Sequence, residues 1–412
     1  MSDEISSPTA PGSRPGARRL PRARRYGRTI LATIVASQLV LALLTAGGVW
    51  WLHGRLNDNI AAGMDIDHRT EKKLPEGAGE PLNILVMGSD TRQGAGNAID
   101  GEGADAGRSD TTILLHVSAN RANAYGVSLP RDAMVPRPSC QVDGRTIEGS
   151  DGEPEIFNSA YTLGGPQCTV QTVESLTGVY IDHFLVLDFN GFKDMVDAVD
   201  GVQVCLPEEV DDAEHDIFLP AGTQDLSGDQ ALSYVRERYQ LSSTGDIGRM
   251  KRQQAFIASM VNKVMSAGTL SQPTRIYDFL YAVTGSIRVD RGLDTVGKLF
   301  DLARQFQDTG LNKIRFLTVP IETYEPDPNR LAWTDEADAL WKRIINDQQL
   351  GKEFSSDSLT AADPVDPGQG GSDDGSDGSD GGTPSTGPGG GGNGSANTEE
   401  QAEARRAAGL CV

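Results

Sequence analysis

Residues 29–52, TILATIVASQLVLALLTAGGVWWL, carry no charge and only one strongly polar side chain, Gln38. As a helix the run rises about 36 Å, enough to cross a hydrocarbon core of about 30 Å with some tilt. No other feature constrains the chain as much, because a segment that enters a bilayer divides the rest between two compartments. The apolar stretch of a cleaved secretory signal is about 7–15 residues, shorter than this one. A helix at the edge of a soluble core carries a polar face that this run lacks. Seven arginines (Arg14, Arg18, Arg19, Arg22, Arg24, Arg25 and Arg28) precede it against Asp3 and Glu4, and Trp50 and Trp51 stand at its far edge. Basic residues mark the cytoplasmic side and tryptophan the interface. The sequence therefore predicts a disordered basic cytoplasmic segment (1–28), a transmembrane helix (29–52) and an extracellular remainder. No second apolar run of this length follows.

An extracellular location permits disulfides. Of the four cysteines, Cys140 and Cys168 flank a polar loop and are the expected pair. Cys205 lies in an apolar run suited to a buried thiol, and the partner of Cys411 stays open. The formal charge of -21 and a pI near 4.6 argue against a nucleic-acid partner.

Residues 53–80 are mixed and charged, a juxtamembrane linker. From 81 to 348 strand-like and helix-like stretches alternate. LNILVMGSD, SDTTILLHVS, NAYGVSLPRD, IDHFLVLDF, VQVCLP and IRFLTVPI read as strands. NGFKDMVDAVDG, DQALSYVRERY, GRMKRQQAFIASMVNKVMSAG and DEADALWKRIINDQQ read as helices, and NSAYTLGGPQCTVQTVESLTG as helical stretches broken at residues 164–166. This alternation predicts a single α/β/α sandwich domain whose central mixed sheet is covered on both faces. Residues 349–412, rich in Gly, Ser and Asp, predict an acidic disordered tail.

Familiar catalytic patterns are missing: there is no GxxxxGK[ST] loop, HExxH helix or GxSxG elbow. The five histidines show no metal-ligand spacing, and His116 and His183 sit within strand patterns. What remains is carboxylates and guanidinium groups. Asp90 follows the first strand, Asp110 opens the second with Arg108 just before it, and Arg131 follows the third beside Asp132. Strand ends feeding one rim of an α/β sheet are where such folds hold ligands. A carboxylate pair suits magnesium, and several arginines suit phosphate oxygens. Each residue taken alone also fits a turn cap or a surface ion pair.

The stretch YVRERYQLSSTGDIGRMKRQQ gathers Arg236, Arg238, Arg249, Lys251 and Arg252 in an acidic chain. Arg236 and Arg238 are two apart, so both reach one ligand only if the helix ends between them. Gly245 and Gly248 set off Arg249 at the start of a fresh helix, where free backbone N–H groups attract anions. Arg249 and Gln253 then share a face. The residues alone point to a magnesium-assisted site for a phosphorylated ligand outside the cell.

NILVMGSDTR, RSDTTILLHVS, VSLPRDAMV, FNSAYTLGGPQCTVQTVE, IDHFLVLDFNGFKDMVDAVDGV and LSGDQALSYVRERY…GDIGRMKRQQ, in this order, resemble the LytR-CpsA-Psr family. The resemblance implies a membrane-anchored transferase on the extracellular face. Such an enzyme moves a glycopolymer from an undecaprenyl-pyrophosphate carrier to a peptidoglycan hydroxyl and forms a phosphodiester. It further implies Asp90 and Asp110 as magnesium ligands, and Arg108, Arg131, Arg236, Arg238, Arg249 and Gln253 around the pyrophosphate. The general base stays open between Asp132 and the metal-binding carboxylates. The prenyl chain calls for an apolar groove between the sheet and the helices after Asn158 and Arg249. No obligate protein partner is implied. A polyprenyl-pyrophosphate hydrolase and a non-catalytic envelope scaffold remain as alternatives, because water can attack the same phosphorus.

Overall fold

The computed structural model describes residues 23–61, 63–67, 70–72, 79–89, 107–212, 217–237, 241, 246–266, 272–307, 309–355, 358–362, 403 and 405–411. Of the segment 1–28 expected to be disordered, residues 1–22 lie outside the described residues, whereas residues 23–28 are already helical. Helix α1 (Ala23–Asn59) contains a membrane-length stretch, Gly27–Asn59, of mean hydropathy 2.1 with none of its most apolar window buried. The chain divides into two compact units at Arg55/Leu56.

The second unit is built on a seven-stranded mixed sheet. Its strands are β1 (Leu82–Ser89), β2 (Ser109–Val117), β3 (Ala124–Leu129), β4 (His183–Asp188), β5 (Ile287–Val289), β6 (Ile314–Thr318) and β7 (Leu359–Thr360), in the order β5-β4-β1-β2-β3-β6-β7. The β1/β4 and β3/β6 pairs are parallel and the others antiparallel. The helices are α2 (Ser159–Thr177), α3 (Phe189–Ala198), α4 (Gly228–Arg236), α5 (Asp246–Met265), α6 (Pro273–Ser286), α7 (Val296–Gln307) and α8 (Asp335–Ile345).

Period-two alternation along the strands separates the two faces. Leu85, Met87, Leu114 and Val127 pack with Val170 and Val173 of α2 and Leu340, Trp341 and Ile344 of α8. Ile84, Val117, Ile314 and Phe316 pack with Ala258 of α5 and Leu302 of α7. The expected α/β/α sandwich is therefore present. A third cluster, including Val196, Tyr234 and Phe256, joins α3, α4 and α5 to the ribbon Val202–Leu206/Gly222–Leu226. The break expected at residues 164–166 appears as a kink within α2: Gly165 stands at φ 61, ψ -155, ahead of Pro166. His116 is fully buried between Asn83 and Asp347, and His183 meets Asp290, both structural roles.

Two boundaries move. Leu56 and Ile60 are buried, and Met64 bridges to Asp290, so the first part of the expected linker 53–80 belongs to the domain. Apolar residues scattered through a charged stretch gave too weak a period to reveal this. Within the expected tail 349–412, Leu359–Thr360 is the edge strand β7, while Ala408 and Leu410 are buried with Ala255. Composition averaged over the glycine-rich stretch concealed those short apolar pieces at its two ends.

Cys140 and Cys168 are joined as expected, tying the loop after β3 to α2. Cys205 is not a thiol: it pairs with Cys411 across 206 residues. Non-reducing peptide mapping is expected to recover both bridges. Replacing Cys140 and Cys168 by serine should cost about 2–4 kcal/mol of unfolding free energy in a denaturant titration. Free thiols in the folded, unreduced protein would contradict the pairing.

Candidate functional site

Because β2 runs antiparallel to β1, it begins where β1 ends, and Ser89 stands opposite Ser109. Ser89 also stands beside Asp188, the last residue of β4. Three strand termini thus converge on one rim, with Asp110 among them. Asn158, just ahead of α2, secures this corner. Its side chain accepts from Ser109 N at 3.0 Å, and its own N–H donates to Arg131 O at 3.1 Å.

Arg131, after β3, donates Nη1 to Asp110 Oδ1 at 2.5 Å, and its Nε lies 3.3 Å from Asp132 Oδ2. Burial alone would lower its pKa, but Asp110, Asp132 and Asp246 outweigh that and hold the guanidinium above its ordinary value. Asp132 also accepts from Arg330 Nη1 at 2.9 Å. With both carboxylate oxygens facing guanidinium groups, Asp132 anchors Arg131 and is badly placed to take a proton from a hydroxyl.

The two helices carrying the basic stretch form the opposite wall. Ser227 and Gln230 close a capping box at the start of α4. That helix ends at Arg236, and Glu237 turns extended at φ -58, ψ 136. The Arg236 guanidinium lies 4.7 Å from the Phe189 ring centroid. A new helix, α5, follows as expected, but it starts at Asp246 rather than Arg249 and takes Gly248 into its first turn. In its first turn Arg249, almost wholly buried, meets Asp246 Oδ1 at 2.6 Å. One turn on, Gln253 donates to Val235 O at 3.1 Å and so holds the end of α4.

Between these walls lies an apolar cavity of about 240 Å³. Val86, Ile113, Leu187, Phe192, Phe256 and Met260 are among its lining residues, and Asp110, Arg236 and Gln253 also border it. The cavity lies between the sheet and α3, α4 and α5. Of the two helices expected to border an apolar groove, α5 lines this cavity, whereas α2, after Asn158, packs into the cluster on the other sheet face.

Of the expected site residues, Asp110, Arg236 and Gln253 border the cavity, and Arg131 is bonded to Asp110. Arg249 pairs with Asp246 and is not among the lining residues, while Arg108 is exposed just ahead of β2. Asp90 and Arg238 lie outside the described residues. Sequence reading missed Asn158, Asp188 and Asp246. Asp246 carries a buried oxygen, Oδ2, with no hydrogen-bond partner. Its position at the head of a helix that opens with an arginine three residues later was the available signal.

The described residues hold no group of three or more His, Cys, Asp or Glu side chains able to cage a metal ion. Magnesium does not require such a cage. It keeps several waters and is bound through one or two carboxylates plus substrate phosphates. The Asp110 carboxylate, beside the cavity and with one oxygen engaged by Arg131, fits that use.

Filling the cavity tests its role. Met260→Trp is expected to abolish binding of a fluorescent long-chain probe such as cis-parinaric acid while the circular dichroism spectrum is retained. Phe300→Trp, at an exposed position on α7, should bind as the unmodified protein does. Unchanged binding by Met260→Trp would show that the probe sits elsewhere.

The model of the LytR_cpsA_psr family matches residues 56–346, starting where the second unit starts. The cell wall biosynthesis protein LcpA of Corynebacterium glutamicum is 30% identical over 338 residues, covering 76% of this chain and 64% of LcpA. The chain therefore spans slightly less than two thirds of LcpA's length. The polyisoprenyl-teichoic acid–peptidoglycan teichoic acid transferase TagU of Enterococcus faecalis is 31% identical over 278 residues, 66% of this chain and 82% of TagU. Among solved structures, a LytR-Csp2A-Psr enzyme from Actinomyces oris shares the fold with a TM-score of 0.54, at 21% identity over 69% of this chain and 96% of that one. Ordered motifs, a mixed-sheet sandwich and a family match across most of the folded unit agree: the chain belongs to the LytR-CpsA-Psr family.

Proposed function

We propose that this protein is a membrane-anchored phosphotransferase that moves a glycopolymer from an undecaprenyl-pyrophosphate carrier to a sugar hydroxyl of peptidoglycan, with its domain on the extracellular face. One observation carries the reading: an apolar cavity bordered by Asp110, Arg236 and Gln253. A prenyl pyrophosphate needs both environments at once, a dry slot for its chain and charged or polar groups for its head. The likeness to TagU, whose name describes such a transfer, supports the substrate class. The membrane-length helix α1 suits an enzyme whose substrate is a lipid.

In the reaction an acceptor hydroxyl oxygen bonds to the phosphorus that bears the polymer. The bond from that phosphorus to the bridging oxygen breaks, polyprenyl phosphate leaves with the electron pair, and the hydroxyl proton passes to a base. Arg236, whose guanidinium has an aromatic neighbour, would meet non-bridging oxygens as charge grows on them. Gln253 and Arg249 flank it from α5, and Asp246 restrains Arg249. Arg131 positions Asp110. Magnesium held by Asp110, together with Asp90, would act as a Lewis acid on the phosphoryl oxygens. Arg108 and Arg238 complete the proposed set on their places in the motifs.

The test incubates the full-length protein in detergent with lipid-linked polymer, magnesium and peptidoglycan fragments. Arg236→Ala should slow transfer about 10²–10³-fold with the fold retained. Arg236→Lys should recover only part, since it keeps the charge and loses the planar fork. Lys251→Ala, offset from the face that carries Arg249 and Gln253, should stay near the unmodified rate. Full activity in folded Arg236→Ala would remove the pyrophosphate site. Release of polymer phosphate without a wall-linked product would favour the hydrolase, and binding without turnover the scaffold. Chelation should stop transfer and added magnesium restore it; transfer that persists in chelator would rule the metal out. External protease on intact cells should digest the domain, whereas complete protection would reverse the topology.

A further inference from the structure

Arg252 lies between Arg249 and Gln253 on α5 and is fully buried. A guanidinium is tolerated there only with hydrogen bonds to replace water. Its partners come from two distant segments. Nη2 donates to Glu237 O and lies 3.9 Å from the Glu237 carboxylate, while Nη1 donates to Ala408 O at 3.2 Å. Glu237 is the residue directly after Arg236.

The second partner belongs to the last described stretch of the chain, Arg405–Cys411. Ala408 and Leu410 are buried against Ala255 and Leu359. Gly409 takes φ 75, and a Cβ there would come within 1.9 Å of Leu241 O, so no other residue fits. Leu241 in turn donates its N–H to Glu237 Oε2 at 3.0 Å. Arg405 Nε donates to Cys411 O, and the Cys205–Cys411 bridge fastens the segment to the ribbon that packs on α5. The end of α4 is therefore held twice from α5, through Gln253 to Val235 O and through Arg252 to Glu237 O. The second hold is completed by the carboxy-terminal segment.

We infer that Arg405–Cys411 is a working part of the site, a clasp that acts through the positioning residue Arg252 to set Arg236 beside the cavity. The inference rests on the reading of Arg236 as a pyrophosphate ligand. A segment that merely covered apolar surface would contact Ala255 and Leu359 alone. This one also bonds the arginine that fixes the backbone next to Arg236, and it abuts Leu241.

The test separates the clasp from the chain without touching the Cys140–Cys168 bridge. A protease site is inserted between Gly381 and Gly382 of the full-length protein, once with Cys205 and Cys411 intact and once with both replaced by serine. Binding of geranylgeranyl pyrophosphate is measured by calorimetry, which needs neither acceptor nor turnover. Cleaved protein with the bridge should bind as uncut protein does. Cleaved protein without it should lose the segment on gel filtration and bind at least tenfold more weakly. A synthetic peptide of residues 403–412 should restore affinity, and the same peptide carrying Gly409→Ala should not. In the released form Arg236→Ala should add little further loss, because the arm is already unset. In uncut, bridged protein, Gly409→Ala alone should weaken binding with the circular dichroism spectrum unchanged.

Full affinity after release, or a complete Arg236→Ala penalty on top of the released form's loss, would overturn the clasp. So would full affinity in Gly409→Ala. If unmodified protein binds no prenyl pyrophosphate at all, the proposed function itself fails, and that result is distinct from the others.

Discussion

The site depends on one strand running against its neighbours. β2 lies antiparallel between β1 and β3, so its first residues meet the last residues of both. A purely parallel sheet would deliver only strand ends to this rim. Here the reversed strand brings Asp110 to the corner where Ser89, Asp188 and Arg131 arrive. Asn158 secures the arrangement by bonding both to the start of β2 and to the backbone of Arg131. Position along a strand, normally a matter of core packing, thereby fixes which charges face one another.

Electrostatics then sort the arginines by role. Arg131 sits between Asp110 and Asp132, Arg249 pairs with Asp246, and Arg252 reaches Glu237. Each carries its own counterion and holds geometry. Arg236 differs: its neighbour is the face of Phe189, and among the described residues it makes no ion pair. A guanidinium stacked on a ring is oriented while its charge stays uncompensated, which suits it to an incoming anion. An acidic protein can thus concentrate positive charge where it is needed, because most of the arginines nearby are already balanced.

Much of this was legible in the residues. Apolar runs bounded by turn residues gave β1, β2, β3, β4 and β6, and the period of α3 and α5 was plain. A second helix carrying Arg249 and Gln253 on one face was legible too, although its start at Asp246 lies three residues before the expected one. What stayed hidden has a common cause: it depends on partners distant in sequence. Cys205 reads as a core thiol until Cys411 arrives from 206 residues away. Arg252 reads as one more basic residue on a surface helix until its burial is seen. α6 carries a weaker period than α5, whereas α7 is at least as amphipathic and sequence reading still missed it. Ala408 and Leu410 are too few to stand out after a long glycine-rich stretch.

The central claim is that one ligand spans the apolar cavity and the charged groups beside it. A crystal structure of the domain that follows α1, with geranylgeranyl pyrophosphate and magnesium, tests it most directly. The account expects the prenyl chain between the sheet and α3 and α5, against Phe192, Phe256 and Met260, with the pyrophosphate at Asp110, Arg236 and Gln253. A prenyl chain bound outside that cavity, or a pyrophosphate that meets neither Asp110 nor Arg236, would contradict it.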